Sequence, residues 1–535
     1  MDSLKKRLNG IIEFLSKHSD TIGYILLSLL FIYIHVRIWN NLEACIESDM
    51  SSELVLAKIM AQEKRIITTS WFYATELKVL HNTLLFAFLF LFTNDWHLVR
   101  IISIVVLNIV LLLSFYYLAK KLKMKHIPWI AFMILGSTSR DYYKFVTLGS
   151  HYIPDLAISF VTIGLIISIF EDTNKTKRII KSVLLMALSF TASLSGSRFL
   201  AVLHLPLLIS AVLYCLYKQF DLLKEGKFVF KDESVDLILF CGVMLVVSYV
   251  GLYFNSHILP NMGYAYKLDG TNISYVEFTF SNLGKILNGW LSVFGYQYDN
   301  AMVLSIPQLL LKPLFAAYFL ISLWSTIDIL LNFKKYNKFE LLTTIFYAVG
   351  ILIMSVLYTF TDMWYRNRYL LSVSVFSAYV IGIFFTHFRI NWQKSILIGC
   401  IVLFTLVNTP FQIDYHLQND SYIELATVRD ILLENECYNG YSANHWNGNN
   451  ILTELSDGKI ETWYGTPTNV KSYQQAKNHK TRTPEGKVYA LVLKSEANGI
   501  TFNDDSTKYL KYEDNTRWLY IFDSYDQMRE VMIWE

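Results

Sequence analysis

Apolar residues in this 535-residue chain are bunched into runs, and the runs define its architecture. Runs of roughly 16–25 residues match the helix length needed to cross about 30 Å of hydrocarbon. Eleven segments are predicted as spans: 22–39, 99–118, 127–138, 152–170, 179–195, 199–217, 235–254, 306–331, 340–360, 369–386 and 395–409, the third being the shortest. A further run, "NTLLFAFLFLF" at 82–92, stops at "TNDWH" and is too short to cross. It is predicted as a helix lying in the interface or against the bundle. Upstream of it, "SDMSSELVLAKIM" sets Leu54, Leu56, Ala57, Ile59 and Met60 in a helix-like stripe. Ser48 is a candidate N-cap there, and Asp49 falls in the first turn, where the helix dipole favours an acid. Beyond residue 410 the chain is more polar. Helix-like "SYIELATVRDILLEN" is followed by strand-like "VYALVLK" and "RWLYIF", the pattern of a small α/β domain. The expected fold is an α-helical polytopic membrane protein of about eleven helices over 1–409, followed by a C-terminal extracytoplasmic α/β domain over 410–535.

Lysine and arginine orient the bundle. Alternate connections are basic: "KKR" at 5–7, "KKLKMK" at 120–125, "NKTKR" at 174–178, 218–231, "KKYNK" at 334–338, and Arg389 with Lys394. With Lys17 and Lys181 they hold 21 of the 47 Lys and Arg residues. The positive-inside rule then makes the N-terminus cytoplasmic. It places the loops at 40–98, 139–151 and 255–305, the turns at 195–198 and 361–368, and the tail outside. Were 82–92 a span, every later loop would change sides and "KKLKMK" would lie outside. The expected location is the cell membrane, with the C-terminal domain extracellular.

Composition narrows the function classes. At 53% hydrophobic and 17% charged, the chain carries too little charge for a soluble protein of its length. A net charge of +3 gives no case for nucleic acid. The first apolar run has no small-residue cleavage site and is expected to be retained as a span. The five cysteines are scattered, and HExxH, CxxC, Walker, GxGxxG and GxSxG motifs are all absent. The cytoplasmic loops are too short for a nucleotide-binding domain.

The candidate chemistry collects on the outer side. "ESDMSSE" carries Glu47, Asp49 and Glu53, of which Glu47 is read as simply solvated. "STSRDYYKFVTLGSHYIPD" carries Arg140, Asp141, Tyr143, Lys144, His151 and Tyr152, while Arg198, Arg366 and Arg368 fall at outer ends of spans. Each has an ordinary reading: a capped interfacial helix for Asp49, a solvated turn for Arg140 and Asp141, a helix N-terminus for Asp155, headgroup snorkelling for the arginines. His445, Trp446 and Asn447 read either as an acceptor-binding lip or as loop chemistry of the small domain. Together the groups have another use. A carboxylate can deprotonate or orient an acceptor hydroxyl, a cation can neutralise a leaving phosphate, and aromatic faces suit sugar rings. That is the equipment needed to move a sugar off a membrane-embedded lipid phosphate.

At this point the layout resembles the GT-C superfamily of integral-membrane glycosyltransferases, which includes protein O-mannosyltransferases and aminoarabinose transferases. The resemblance rests on one span followed by a long loop opening with an acid ("ESDMSSE") and holding two interfacial helices. It continues with an arginine opening the second span ("HLVRII", Arg100), a basic "AKKLK" closing it, and a second acid-bearing loop ("SRDYY") after the third. "SWFYATELKVLHN", "GSHYIP" and "WNGNNILTELSDGKIE" are similar to Gram-positive membrane proteins of this class. The resemblance implies a lipid-linked sugar phosphate donor and Asp49 as catalytic base. Mannosyltransferases have an adjacent Asp-Glu pair, whereas here Met50 follows Asp49, so Glu53 stands in reserve. On this reading Asp141 helps orient donor or acceptor, and one of Arg140, Arg198, Arg366 or Arg368 holds the donor phosphate. Tyr143, His151 and Tyr152 are further candidate substrate-binding residues. The partners are a polyprenyl-phosphate sugar, a glycan or wall-polymer acceptor and the bilayer. A divalent ion shared by Asp49 and Asp141 stays open. Two alternatives remain: a glycan polymerase or ligase, for which the 255–305 loop has few cations, and a flippase, for which the span middles carry too little charge.

Overall fold

Each of the eleven predicted segments is helical in the computed structural model, which describes residues 17–74, 77–266, 274–296, 306–362, 365–388, 391–419 and 422–534. The basic segment 5–7, Lys267 and Arg389 lie outside the described residues. Among those described, eight helices are long and apolar enough to cross a membrane: Ser19–Cys45, Trp96–Lys121, Ile153–Glu171, Leu200–Lys218, Glu233–Asn261, Lys338–Phe360, Asn367–His387 and Ser395–Gln418. The other three fall short for separate reasons. Ile127–Leu135 has only 9 residues, all buried. Lys175–Ser193 opens with Lys175, Lys177, Arg178 and Lys181. Ile306–Leu331 contains Pro313, and its shorter apolar stretch is Ala316–Leu331.

The first loop is built as its pattern predicts. Helix α1 (Ser19–Cys45) ends two residues before α2 (Ser48–Glu63), and the short α3 (Thr83–Phe90) leads to α4 (Trp96–Lys121). Leu54, Ala57 and Met60 of α2 pack with Phe86 and Phe90 of α3 and with Trp96 and Val99 of α4. The other side of α3 and the turn after it are apolar and open, with Phe88 56% and Phe92 73% exposed, as befits a helix lying at an apolar surface. One detail differs from expectation. Ser48 is the first helical residue and does not cap α2, because its hydroxyl is drawn away to the carbonyl of His445 in the tail.

The tail begins beyond the long helix Asn391–Asn419, which carries Pro410 in its interior. A mixed six-stranded sheet has the order Asn469–Val470, Glu461–Thr466, Asn439–Ser442, Val488–Leu493, Arg517–Phe522, Leu510–Glu513. Tyr441, Trp463, Val488, Ala490, Val492 and Phe522 form its core. A second sheet ties three distant segments together. Trp71–Tyr73 of the first loop pairs in parallel with Ala265–Tyr266 and antiparallel with Gln475–Ala476 of the tail. The tail is thereby locked onto the loop that carries the acids.

Candidate functional site

Asp49 stands in the first turn of α2 with its side chain 20% exposed. It caps nothing. Its Oδ1 accepts hydrogen bonds from His445 Nε2 at 3.3 Å and Gln474 Nε2 at 3.1 Å, both from the tail. Burial alone would raise its pKa, but the His445 bond and the charges of His151 and Arg368 outweigh it and hold the carboxyl below its ordinary range. Asp49 is therefore a carboxylate at neutral pH.

One turn on, Glu53 sits in a second cluster. His151 Nδ1 is 2.9 Å and His81 Nδ1 3.5 Å from its Oε1, and Asn82 Nδ2 donates to Oε2 at 2.7 Å. Burial again opposes the charge, and His151 with Lys78 overcomes it, so Glu53 is ionised. Burial also holds His81 neutral. With Nδ1–H of His151 turned to Glu53, its Nε2 is buried without a partner. The backbone just before it is unusual, Ser150 having φ +57°. A π-helical turn over Tyr143–Leu148 presents Phe145 to the His151 ring. Strained turns and π-bulges of this kind gather at working sites.

Arg368 lies over the face of Phe145, 4.6 Å from the ring centroid, and its charge acts on Asp49 and Tyr152. It forms no ion pair among the described residues. Arg198 is spoken for: it donates to Asp155 Oδ2 at 2.8 Å and covers Tyr152. Tyr152 itself is buried. Asp49, Glu53, His151, Tyr152, Arg198 and Arg368 thus share one electrostatic neighbourhood.

The remaining candidates make contacts of their own, Arg140 and Asp141 on a short helix that packs against the Arg368 turn. Arg140 stacks on Tyr415, and Asp141 acts on Tyr365. Neither is among the largest influences on the Asp49 carboxyl. Arg366 is exposed at the start of the Asn367–Leu370 turn. Tyr143 is fully buried edge-on to His416, so its ring packs the bundle and is closed to substrate. Glu47 is not solvated: it is 2% exposed and paired with Lys144 Nζ at 2.5 Å. His81, Asn82, Asn449, Asn450, Gln474 and Glu454 complete the site without having been singled out as functional by the sequence.

Among the described residues, Glu53, His81 and His151 form a group that could hold a metal, their ligand atoms lying within 4.8 Å of one another. Two imidazoles and a carboxylate fit a borderline transition ion better than a hard cation. His81 Nε2 faces Lys78 Nζ at 3.3 Å, so metallation of Nδ1 requires the half-buried Lys78 to turn aside.

The fold is that of the GT-C membrane glycosyltransferases. The chain is similar to ArnT from Cupriavidus metallidurans bound to undecaprenyl phosphate, with a TM-score of 0.56, 9% identity, and 92% of this chain and 97% of that one covered. The apo form of the same ArnT gives a TM-score of 0.55 at 10% identity, covering 94% and 98%. An apo oligosaccharyltransferase from Archaeoglobus fulgidus gives 0.50 at 11% identity, covering 85% of this chain and 65% of that one. No protein-family model matches the sequence, and no curated protein matches it.

Proposed function

We propose that the protein is a membrane glycosyltransferase that moves a sugar from a polyprenyl-phosphate donor to a hydroxyl of a cell-surface glycan or wall polymer. The reaction is placed on the outer face of the cell membrane, an orientation that rests on the Lys and Arg distribution. The observation that carries the reading is an ionised, partly open Asp49 under the charge of Arg368, an arginine that forms no ion pair among the described residues. The acceptor oxygen attacks the anomeric carbon, and its proton passes to Asp49. The bond from that carbon to the phosphate oxygen breaks, and its electron pair leaves with the phosphate. Phosphate is a good leaving group, so the work of the site is alignment and charge neutralisation. Arg368 is assigned to the phosphate and His151 Nε2 to a sugar hydroxyl. The ArnT relative was captured with undecaprenyl phosphate, which supports this donor class.

Glu53, His81 and His151 would hold a zinc-like ion, which would add positive charge beside the leaving phosphate. Purified protein is expected to contain about one equivalent of transition metal by elemental analysis, and Glu53→Gln to lose it; a metal-free wild type would refute the assignment.

The donor assignment is tested with undecaprenyl phosphate itself. The lipid is expected to raise the unfolding temperature of the purified protein. Arg368→Ala should weaken binding about tenfold, the scale of one charge-assisted contact. Equal binding to wild type and variant would remove Arg368 from the phosphate site.

A further inference from the structure

The C-terminal domain reaches the reacting carboxylate directly. Both hydrogen bonds to Asp49 come from the tail, and both fall on Oδ1. Oδ2 accepts none from the described residues. One oxygen is gripped, and the other is left for a hydroxyl.

The imidazole that grips it is itself fixed. Asn449 Nδ2 donates to His445 Nδ1 at 3.1 Å, which puts the ring proton on Nε2, toward Asp49. Trp446, Tyr464 and Tyr473 surround the ring at centroid distances of 5.0, 5.6 and 5.0 Å. The second donor is fixed too. Gln474 is held at φ +46°, a conformation that a residue of its kind adopts only when its surroundings enforce it, and Asn450 at φ +61°, a region asparagine enters readily. Asn450 Nδ2 donates both to the Gln474 carbonyl at 2.9 Å and to Ser52 Oγ on α2 at 2.8 Å. Gly448, at φ +98°, lets the loop fold back between these residues, where a Cβ would meet Leu491 at 2.9 Å.

Docking of the tail does not need the imidazole. Ser48 Oγ binds the His445 backbone carbonyl at 2.5 Å, Asn450 binds Ser52, and Arg100 binds Glu454. The side chain of His445 adds only the bond to Asp49, while its carbonyl serves the anchor.

We propose that His445 is a positioning residue: its Nε2–H holds Asp49 Oδ1 so that Oδ2 faces the acceptor hydroxyl, and the C-terminal domain is thereby an integral part of the catalytic site. This rests on Asp49 being the base. In an orientation-limited reaction, loss of such a bond costs turnover and leaves donor binding alone.

The test compares two amides. His445→Gln can place an N–H where Nε2 stood, whereas His445→Asn reaches only the Nδ1 position. Discharge of polyprenyl-phosphate sugars in a bacterial lipid extract, read by mass spectrometry, gives kcat and donor KM. Asn is expected to lower kcat roughly 10- to 100-fold at unchanged donor KM, and Gln to stay within about threefold of wild type. Both keep the backbone anchor, so their unfolding temperatures should match. Equal kcat for the two variants, or wild-type kcat in His445→Asn, overturns the proposal. Asp49→Asn is run alongside. If it is inactive while His445→Asn is fully active, only the positioning role falls; if it is fully active, the base assignment falls and takes the positioning role with it.

Discussion

Asp49→Asn is expected to lower sugar transfer roughly 100- to 10,000-fold, the usual contribution of a positioned general base. The change is nearly isosteric. An amide oxygen can still accept from His445 and Gln474, so the docking of the tail should survive, and undecaprenyl phosphate should bind as before. Only the capacity to take the acceptor proton is lost. Against the effect of burial, the His445 bond and the nearby His151 and Arg368 charges hold Asp49 as a carboxylate, which is the form a base needs. Glu53 cannot take over, because its two oxygens are occupied by His151, His81 and Asn82. Turnover above one tenth of wild type in Asp49→Asn would refute the assignment.

The largest expected effect on stability lies just beneath. Arg100 and Glu454 are 0% and 3% exposed, and they join by two parallel bonds, Nε to Oε1 at 2.9 Å and Nη2 to Oε2 at 2.8 Å. The same Nη2 donates to the Met50 carbonyl at 2.8 Å, so the pair holds both the tail and the residue after Asp49. Arg100→Leu strands a buried carboxylate, which costs about 3–5 kcal/mol. The unfolding temperature should fall, and limited proteolysis should cut the tail. Replacing both partners by leucine removes the stranded charge, so the double variant should recover most of the loss. An Arg100→Leu protein as stable as wild type would show that the pair does not anchor the tail.

Much of the fold is written in the length of its apolar runs. The helices of the bundle, the refusal of 82–92 to span, and the α2 stripe all follow from local period. The place of Asp49, just after the first span, follows from that period, while its proposed role came from the resemblance to the GT-C layout. What holds it was not legible. His445 and Gln474 lie 396 and 425 residues away, and such a pairing leaves no periodic trace. The Glu53 cluster draws on three segments for the same reason, with His81 hidden in an unremarkable "VLHN". Polarity also misled where burial was decided at a distance. Glu47 read as solvated because its partner Lys144 sits in another loop. Tyr143 read as a ligand contact because its polar neighbours are close in sequence, whereas the π-helical turn directs its ring into the bundle. Asp141 was grouped with Asp49 because both fall on outer loops, a criterion of side and not of contact.

The central claim is that a polyprenyl-phosphate sugar is consumed at Asp49. Lipid extracts from cells with wild-type protein, without it, and with Asp49→Asn can be compared by mass spectrometry. The account predicts that one polyprenyl-phosphate sugar accumulates equally in the latter two, and that purified wild-type protein discharges it to free polyprenyl phosphate. Identical lipid profiles in all three strains, with no discharge by the purified protein, would contradict it.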